Sequence, residues 1–286
     1  MAKVLTAEEL MKVATLLRTD VLRMLEASGG SGHVGGPLGM AELIAVLYFK
    51  VMRIQARQPD WEGRDYFVLS NGHTVPIVYA ALARRGFFET DDLLTLRSYQ
   101  SRLQGHPERT RLPGIEATSG PLGSGLSQAA GMAYDLQYLQ GRRHQFVYTM
   151  LGDGELNEGP VWEAAMFASK YKLSQLIAIV DRNNIQLSGT TEQIMPLEDL
   201  KAKWESFGWH VQEINGHDVV EIEQAVQRAK AVSNRPCVII ARPIPGKGVD
   251  FMEYDARWHG GIPHPVQEHV RRALQQVADG SKEAHV

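Results

Sequence analysis

An aspartate between two glycines, Gly152-Asp153-Gly154, closes the apolar run FVYTML, and thirty positions after Asp153 stands Asn183, just past the end of a second such run, LIAIV. A hard divalent cation such as Mg²⁺ takes an octahedron of oxygens and commonly keeps phosphate oxygens in its shell. Asp153, the amide oxygen of Asn183 and one backbone carbonyl could supply three protein ligands, with two diphosphate oxygens and a water completing the set. Gly154 lets the backbone approach a phosphate, and a helix starting near Pro160 would turn its amino terminus toward that charge. Taken alone, Gly-Asp-Gly fits a tight turn equally well. Its pairing with an asparagine at the next strand end is far more specific. Histidines beside glycines form a second group: His33 in SGHVGG, His73 in NGHT, His106 in QGHPE and His259 in WHGG. Imidazoles exchange protons near neutral pH and donate hydrogen bonds to oxygen. Each could also do no more than cap a turn.

Positioning these residues requires strand tips. Runs rich in β-branched and aromatic residues occur near 66 (YFVLS), 146 (FVYTML), 176 (LIAIV), 209 (WHVQEI) and 237 (CVIIA). Helical periodicity fills about 39–51, 74–85, 124–139, 160–171, 197–206 and 219–232. An opening helix carries a Thr6/Glu9 capping box, places Leu10, Val13, Leu17, Val21 and Met24 on one face, and stops at Ser28-Gly29-Gly30. Strand and helix alternate, which predicts an α/β fold: a parallel sheet with helices on both faces, ligands binding at the strands' carboxyl ends.

Composition narrows the function classes. With 286 residues and 44% hydrophobic content the chain can bury one large core, expected to span 1–278, with a flexible tail over 279–286. Thirty basic against 33 acidic residues give no electrostatic footprint for nucleic acid or an anionic membrane. The longest uncharged stretch, around 117–134, is rich in Gly and Ser and does not read as a membrane span. The single cysteine, Cys237, lies in an apolar run and reads as an inert core thiol in a reducing, cytoplasmic setting.

GDGELNEG followed by DRNNIQLSG resembles the thiamine diphosphate motif of transketolases. SGHVGGPLG at 31–39, LSNGH at 69–73, QGHPE at 104–108, SGPLGSGLSQAAGMA at 119–133 and WHG at 258–260 also resemble transketolase segments, in the family's order, so the resemblance covers essentially the whole chain. It implies a Rossmann-like, three-layer thiamine diphosphate-binding fold. It further implies that Asp153, Asn183 and the Ile185 carbonyl bind Mg²⁺ (or Ca²⁺ or Mn²⁺). Gly154, His73 and His259 would hold the diphosphate, with Asn183 and Glu158 also at the cofactor. Gly120 and Leu122 would line its rings, and His33, His73, His106 and His259 would face the reacting carbon and the sugar. Glu158 and Glu163, otherwise readable as carboxylates favouring a helix start, would lie at a subunit interface.

The implied reaction is ketol transfer: a two-carbon unit passes from a ketose phosphate to an aldose phosphate, with the cofactor as electron sink. The family's pyrimidine-binding domain, which carries its essential glutamate, has no counterpart in these residues. The resemblance is therefore to the amino-terminal subunit of a split transketolase, inactive alone. A carboxy-terminal subunit would complete an assembly of two copies of each. A deoxyxylulose phosphate synthase, a 2-oxo acid dehydrogenase α subunit and a noncatalytic cofactor-binding subunit are the competing readings.

Overall fold

The structure is a computed structural model describing residues 5–283, with side chains described through Gly280. Five strands form one wholly parallel sheet in the order β1-β2-β3-β7-β6: β1 (Tyr66–Leu69), β2 (Val147–Gly152), β3 (Leu176–Asp181), β6 (His210–Asn215) and β7 (Cys237–Arg242). All are strands expected from the sequence. A two-stranded hairpin, β4 (Ile185–Gln186) and β5 (Gly189–Thr190), follows β3 and was not expected.

Successive strand residues point to opposite faces. On β3, Ile177 and Ile179 join one buried cluster while Leu176, Ala178 and Val180 join the other; on β7, Cys237 and Ile239 part from Val238 and Ile240 in the same way. A strand buried on both faces needs a continuous apolar run, as in LIAIV and CVII. The first cluster is roofed by α1 (Ala7–Ala27), α3 (Ala41–Val46), α4 (Val75–Arg84) and α9 (Val219–Ala231), with α2 (Gly35–Gly39) beside them. The second lies under α5 (Ser124–Tyr134), α6 (Gly159–Lys170) and α8 (Leu200–Ser206), while the short α7 (Thr191–Ile194) follows the hairpin. Helices thus cover both faces, as expected.

At the start of α1, Thr6 accepts from the Glu9 N–H and Glu9 accepts from the Thr6 N–H, completing the expected capping box. Gly29 and Gly30 beyond it have φ of 67° and 84° and turn the chain away. The chain's end departs from expectation. A last helix, α10 (Val266–Glu283), continues past Asp279, so the tail expected from 279 is helical through 283; residues 284–286 lie outside the described residues. Val266, Val270, Ala273 and Val277 recur along one face of α10, which packs on α1, and this burial holds the helix. The 246–260 segment buries Val249, Met252 and Trp258 in the core. His217 is satisfied at both ring nitrogens: Nδ1 meets Glu42 and Nε2 accepts from the Ile244 N–H. Cys237 is fully buried and its thiol is pushed up to about 12 by burial, so it is inert as expected. Among the described residues no helix is long and apolar enough to cross a membrane.

Candidate active site

Three neighbouring strands deliver the chemistry at their carboxyl ends: β1 runs into Ser70-Asn71-Gly72-His73, β2 into Gly152-Asp153-Gly154 and β3 into Asp181-Arg182-Asn183. The tips of β2 and β3 are laced together. Asp153 Oδ2 accepts from the Asn184 N–H at 2.7 Å and from Arg182 Nη1 at 3.1 Å, while Oδ1 accepts from the Gly154 N–H at 2.8 Å. Arg182 is held in turn by Thr191 and Glu192. The Asn183 amide nitrogen donates to Asp181 Oδ2 at 2.9 Å, so its oxygen, beside the Ile185 N–H at 2.8 Å, is the end open to a cation. Asn184 adopts φ 65°, which turns the chain sharply into β4.

Burial dominates the electrostatics of these carboxyls. It raises Asp153 to about 6, against the Asn184 N–H and the Arg182 guanidinium, which pull down. It raises Asp181 more strongly, helped by the Asp153 charge. Asp181 Oδ1, Asn71 Oδ1 and Gln186 Oε1 are buried without a hydrogen-bond partner. Asp153, Glu155, Glu158 and Asp181 all line the crevice, whereas no lysine or arginine does so among the described residues. A divalent cation held by these oxygens would supply the positive charge that a diphosphate needs here. The donor set of one carboxylate, one amide oxygen and one carbonyl suits a hard cation. A Cβ on Gly154 would come within 2.8 Å of Gln186, so the turn also needs glycine.

The histidines assemble on the other flank. His33 and His73 have ring centroids 4.7 Å apart, and His259 lies 5.7 Å from His33 and 5.5 Å from His73. His106 sits at the edge, its ring 3.5 Å from where a Gly120 Cβ would lie. Burial, followed by the neighbouring imidazoles and, for His33, also Arg97, lowers His33 to about 4 and His73 to about 3. His106 and His259 are lowered by burial as well. The group is therefore neutral at pH 7, and His33 Nδ1 is buried without a partner.

This has a measurable consequence. Between pH 6.5 and about 3 the unfolded chain protonates His73 while the folded chain does not, so the stability linked to this group is complete above 6.5 and erodes as pH falls. Relative to wild type, His73→Asn should gain about 2 kcal/mol on going from pH 7 to pH 5. Urea unfolding at the two pH values measures it, and a pH-independent difference would contradict a neutral, buried imidazole.

Asp153, Asn183, Ile185, Gly154, Glu158, Leu122, His73 and His259 line one crevice, and His33 joins it through its ring neighbours. Gly120 lies beside His106, near the rim. Glu163 is exposed on α6. Sequence reasoning missed Asn71, Asp181, Gln186 and Glu155 in the crevice. It also missed Leu187, an apolar residue 69% exposed, which lines the crevice with Leu122, itself 39% exposed. The signal for Leu187 was present as an apolar residue alternating with Ile185 in the otherwise polar stretch after Asn183-Asn184.

Residues 7–276 match the family described as "Transketolase, thiamine diphosphate binding domain". The 6-deoxy-6-sulfo-D-fructose transketolase subunit SqwG of Clostridium sp. (strain MSTE9) is 46% identical over 224 residues, covering 78% of this chain and 81% of that protein. An apulose-4-phosphate transketolase subunit of Phocaeicola vulgatus is 39% identical over 255 residues, covering 88% of this chain and 90% of the relative. Among solved structures, Campylobacter jejuni transketolase superposes with a TM-score of 0.88 at 34% identity, covering 96% of this chain but 43% of that one. The chain thus spans less than half of the solved transketolase and most of each relative named as a subunit. With the histidine group, the laced strand tips and the fold all in place, the chain belongs to the transketolase family, as a thiamine diphosphate-binding domain of it.

Proposed function

We propose that this chain is the amino-terminal, diphosphate-binding subunit of a two-chain transketolase, which moves a two-carbon ketol unit from a ketose (phosphate) to an aldose (phosphate). One observation carries the reading: a crevice lined by four carboxylates, with no lysine or arginine among the described residues, at the carboxyl ends of adjacent parallel strands, flanked by neutral imidazoles. That combination suits a cation-bridged diphosphate on one side and proton transfer on the other.

Asp153, the Asn183 amide oxygen and the Ile185 carbonyl hold Mg²⁺. Gly154 gives the diphosphate room, and His73 and His259 donate to its oxygens. When bound, thiamine diphosphate supplies an electron sink for the two-carbon fragment. Leu122 and Leu187 would shield its rings from water, and Gly120 would line them. His33 and His106 take and return the hydroxyl proton of the sugar and stabilise negative charge on its oxygen. They do so as neutral imidazoles, able to accept a proton at one nitrogen and donate from the other. Glu158 and Glu163 contact a second subunit.

The partner is a separate carboxy-terminal subunit carrying the pyrimidine-binding domain, in an assembly of two copies of each. Support comes from the relatives named as subunits. Exposed Leu122, Leu187, Ile194 and Met195, around the crevice and the adjoining hairpin, offer apolar surface for a partner to cover. We place the assembly in the cytoplasm, where a lone buried thiol such as Cys237 stays reduced.

The test is turnover of the chain mixed with its carboxy-terminal partner, thiamine diphosphate and Mg²⁺. The donor panel should include 6-deoxy-6-sulfo-D-fructose, apulose-4-phosphate and common ketose phosphates. Ketol transfer that requires both chains and the metal is expected. A tight complex that binds cofactor yet turns over no donor would leave only a binding subunit.

A further inference from the structure

Glu155 follows the Gly-Asp-Gly turn, is 2% exposed, and takes no part in the ketol-transfer chemistry. Its carboxylate gathers three segments of chain. Oε1 accepts from Ser70 Oγ, past the tip of β1, and from the Gly123 N–H at 2.7 Å, in the turn before α5; Oε2 accepts from the Gly152 N–H at 3.0 Å, at the tip of β2. Ser70 Oγ passes the link on by accepting from the Gly125 N–H at 3.1 Å.

The approach is close enough to exclude side chains. A Cβ on Gly125 would stand 2.5 Å from Ser70, and Gly123, at φ 85°, would meet Glu158 at 2.9 Å. Each segment also presents cofactor-site residues: Asn71 and His73 follow Ser70, Gly120 and Leu122 precede Gly123, and Asp153 and Gly154 follow Gly152.

We infer that Glu155 is a positioning residue: one buried carboxylate fixes the three segments against one another, so that diphosphate, ring and histidine contacts stand in register before any ligand arrives. Three donors converge on one side chain from sequence separations of 85, 32 and 3 residues, and one of them, Ser70 Oγ, carries the link on to Gly125. A glutamine keeps the volume but turns an acceptor oxygen into an NH₂ donor facing N–H and O–H groups. At least one contact must then break. The ligand part of the inference rests on the proposed function; the positioning part does not.

Hydrogen exchange of the full chain without ligand tests it directly. In Glu155→Gln the Gly123, Gly125 and Gly152 amides should exchange about tenfold faster than in wild type, with the interior amides of β3 and β7 unchanged. In the two-chain enzyme the cofactor concentration for half-maximal rate should rise about tenfold, while kcat at saturating cofactor changes by less than about threefold. Ser70→Ala removes one donor to Glu155 and the acceptor of the Gly125 N–H, so Gly125 should speed at least about tenfold while Gly152, still held by Glu155, stays within about threefold of wild type. This keeps the test open if the glutamine variant fails to fold, and equal acceleration of Gly152 would count against Glu155 holding it.

Wild-type exchange at all three glycines, or equal acceleration of every amide, would overturn the positioning role. So would an unchanged cofactor requirement beside a lost kcat. If the wild-type enzyme itself shows no cofactor dependence, the proposed function falls, and the exchange pattern still decides Glu155.

Discussion

Asp153→Ala should abolish Mg²⁺-dependent binding of thiamine diphosphate while the chain stays folded. Asp153 is the one anionic ligand in the proposed set, and a hard cation binds oxygen ligands chiefly through charge. Loss of groups that merely orient ligands costs metal sites about 10- to 100-fold. Loss of the sole carboxylate ligand should therefore weaken cofactor binding by at least about a hundredfold. The Asn184 and Gly154 N–H groups lose an acceptor, which costs stability, but burial also makes the Asp153 carboxylate itself costly, so the chain should stay folded. Removing it also relieves the repulsion on Asp181, and Arg182 keeps Thr191 and Glu192 as partners. Calorimetric titration with and without Mg²⁺, beside circular dichroism, checks both halves. Unchanged affinity would remove the metal assignment; loss of the dichroism signal would move Asp153 from ligand to scaffold.

His33→Ala should have the opposite signature: intact cofactor binding and a collapsed rate. His33 packs against both His73 and His259, with a buried Nδ1 that no described residue satisfies, although buried polar atoms are nearly always paired. Among the described residues no hydrogen bond holds that nitrogen, so its partner is expected to be the substrate. A well-placed general acid or base contributes about 10²- to 10⁴-fold, and the two-chain enzyme should lose kcat within that range. The cofactor concentration for half-maximal rate should move little. A fall in cofactor affinity with kcat preserved would place His33 at the diphosphate instead.

The sheet was legible because its strands are buried on both faces and spell continuous apolar runs between helical periods. The two ligand motifs were legible because each ends such a run. The limits of that reading are equally physical. Glu155 looks like an ordinary acid near a helix start, since its partners lie 85 and 32 residues away and converge only in the fold. The helix α10 is mostly polar, with Val266, Val270, Ala273 and Val277 as a narrow stripe, and it forms because α1 receives that stripe. The β4–β5 hairpin pairs only two residues a side and turns through Leu187 at φ 53°, and the Ser188-Gly189 turn signal alone does not show that strands this short flank it. Asp181 read as the last residue of a strand. Its burial beside Asp153, and its hold on the Asn183 amide, appear only once β2 and β3 are seen side by side.

The most direct test of the central claim is the anomalous difference map of a crystal of the two-chain complex grown with thiamine diphosphate and Mn²⁺. The account predicts one strong peak bridging the two strand tips, about 2.0–2.3 Å from an Asp153 carboxylate oxygen, the Asn183 amide oxygen and the Ile185 carbonyl, with diphosphate oxygens completing the shell. A diphosphate bound elsewhere, or a metal peak that leaves Asp153 and Asn183 out of its shell, would contradict it.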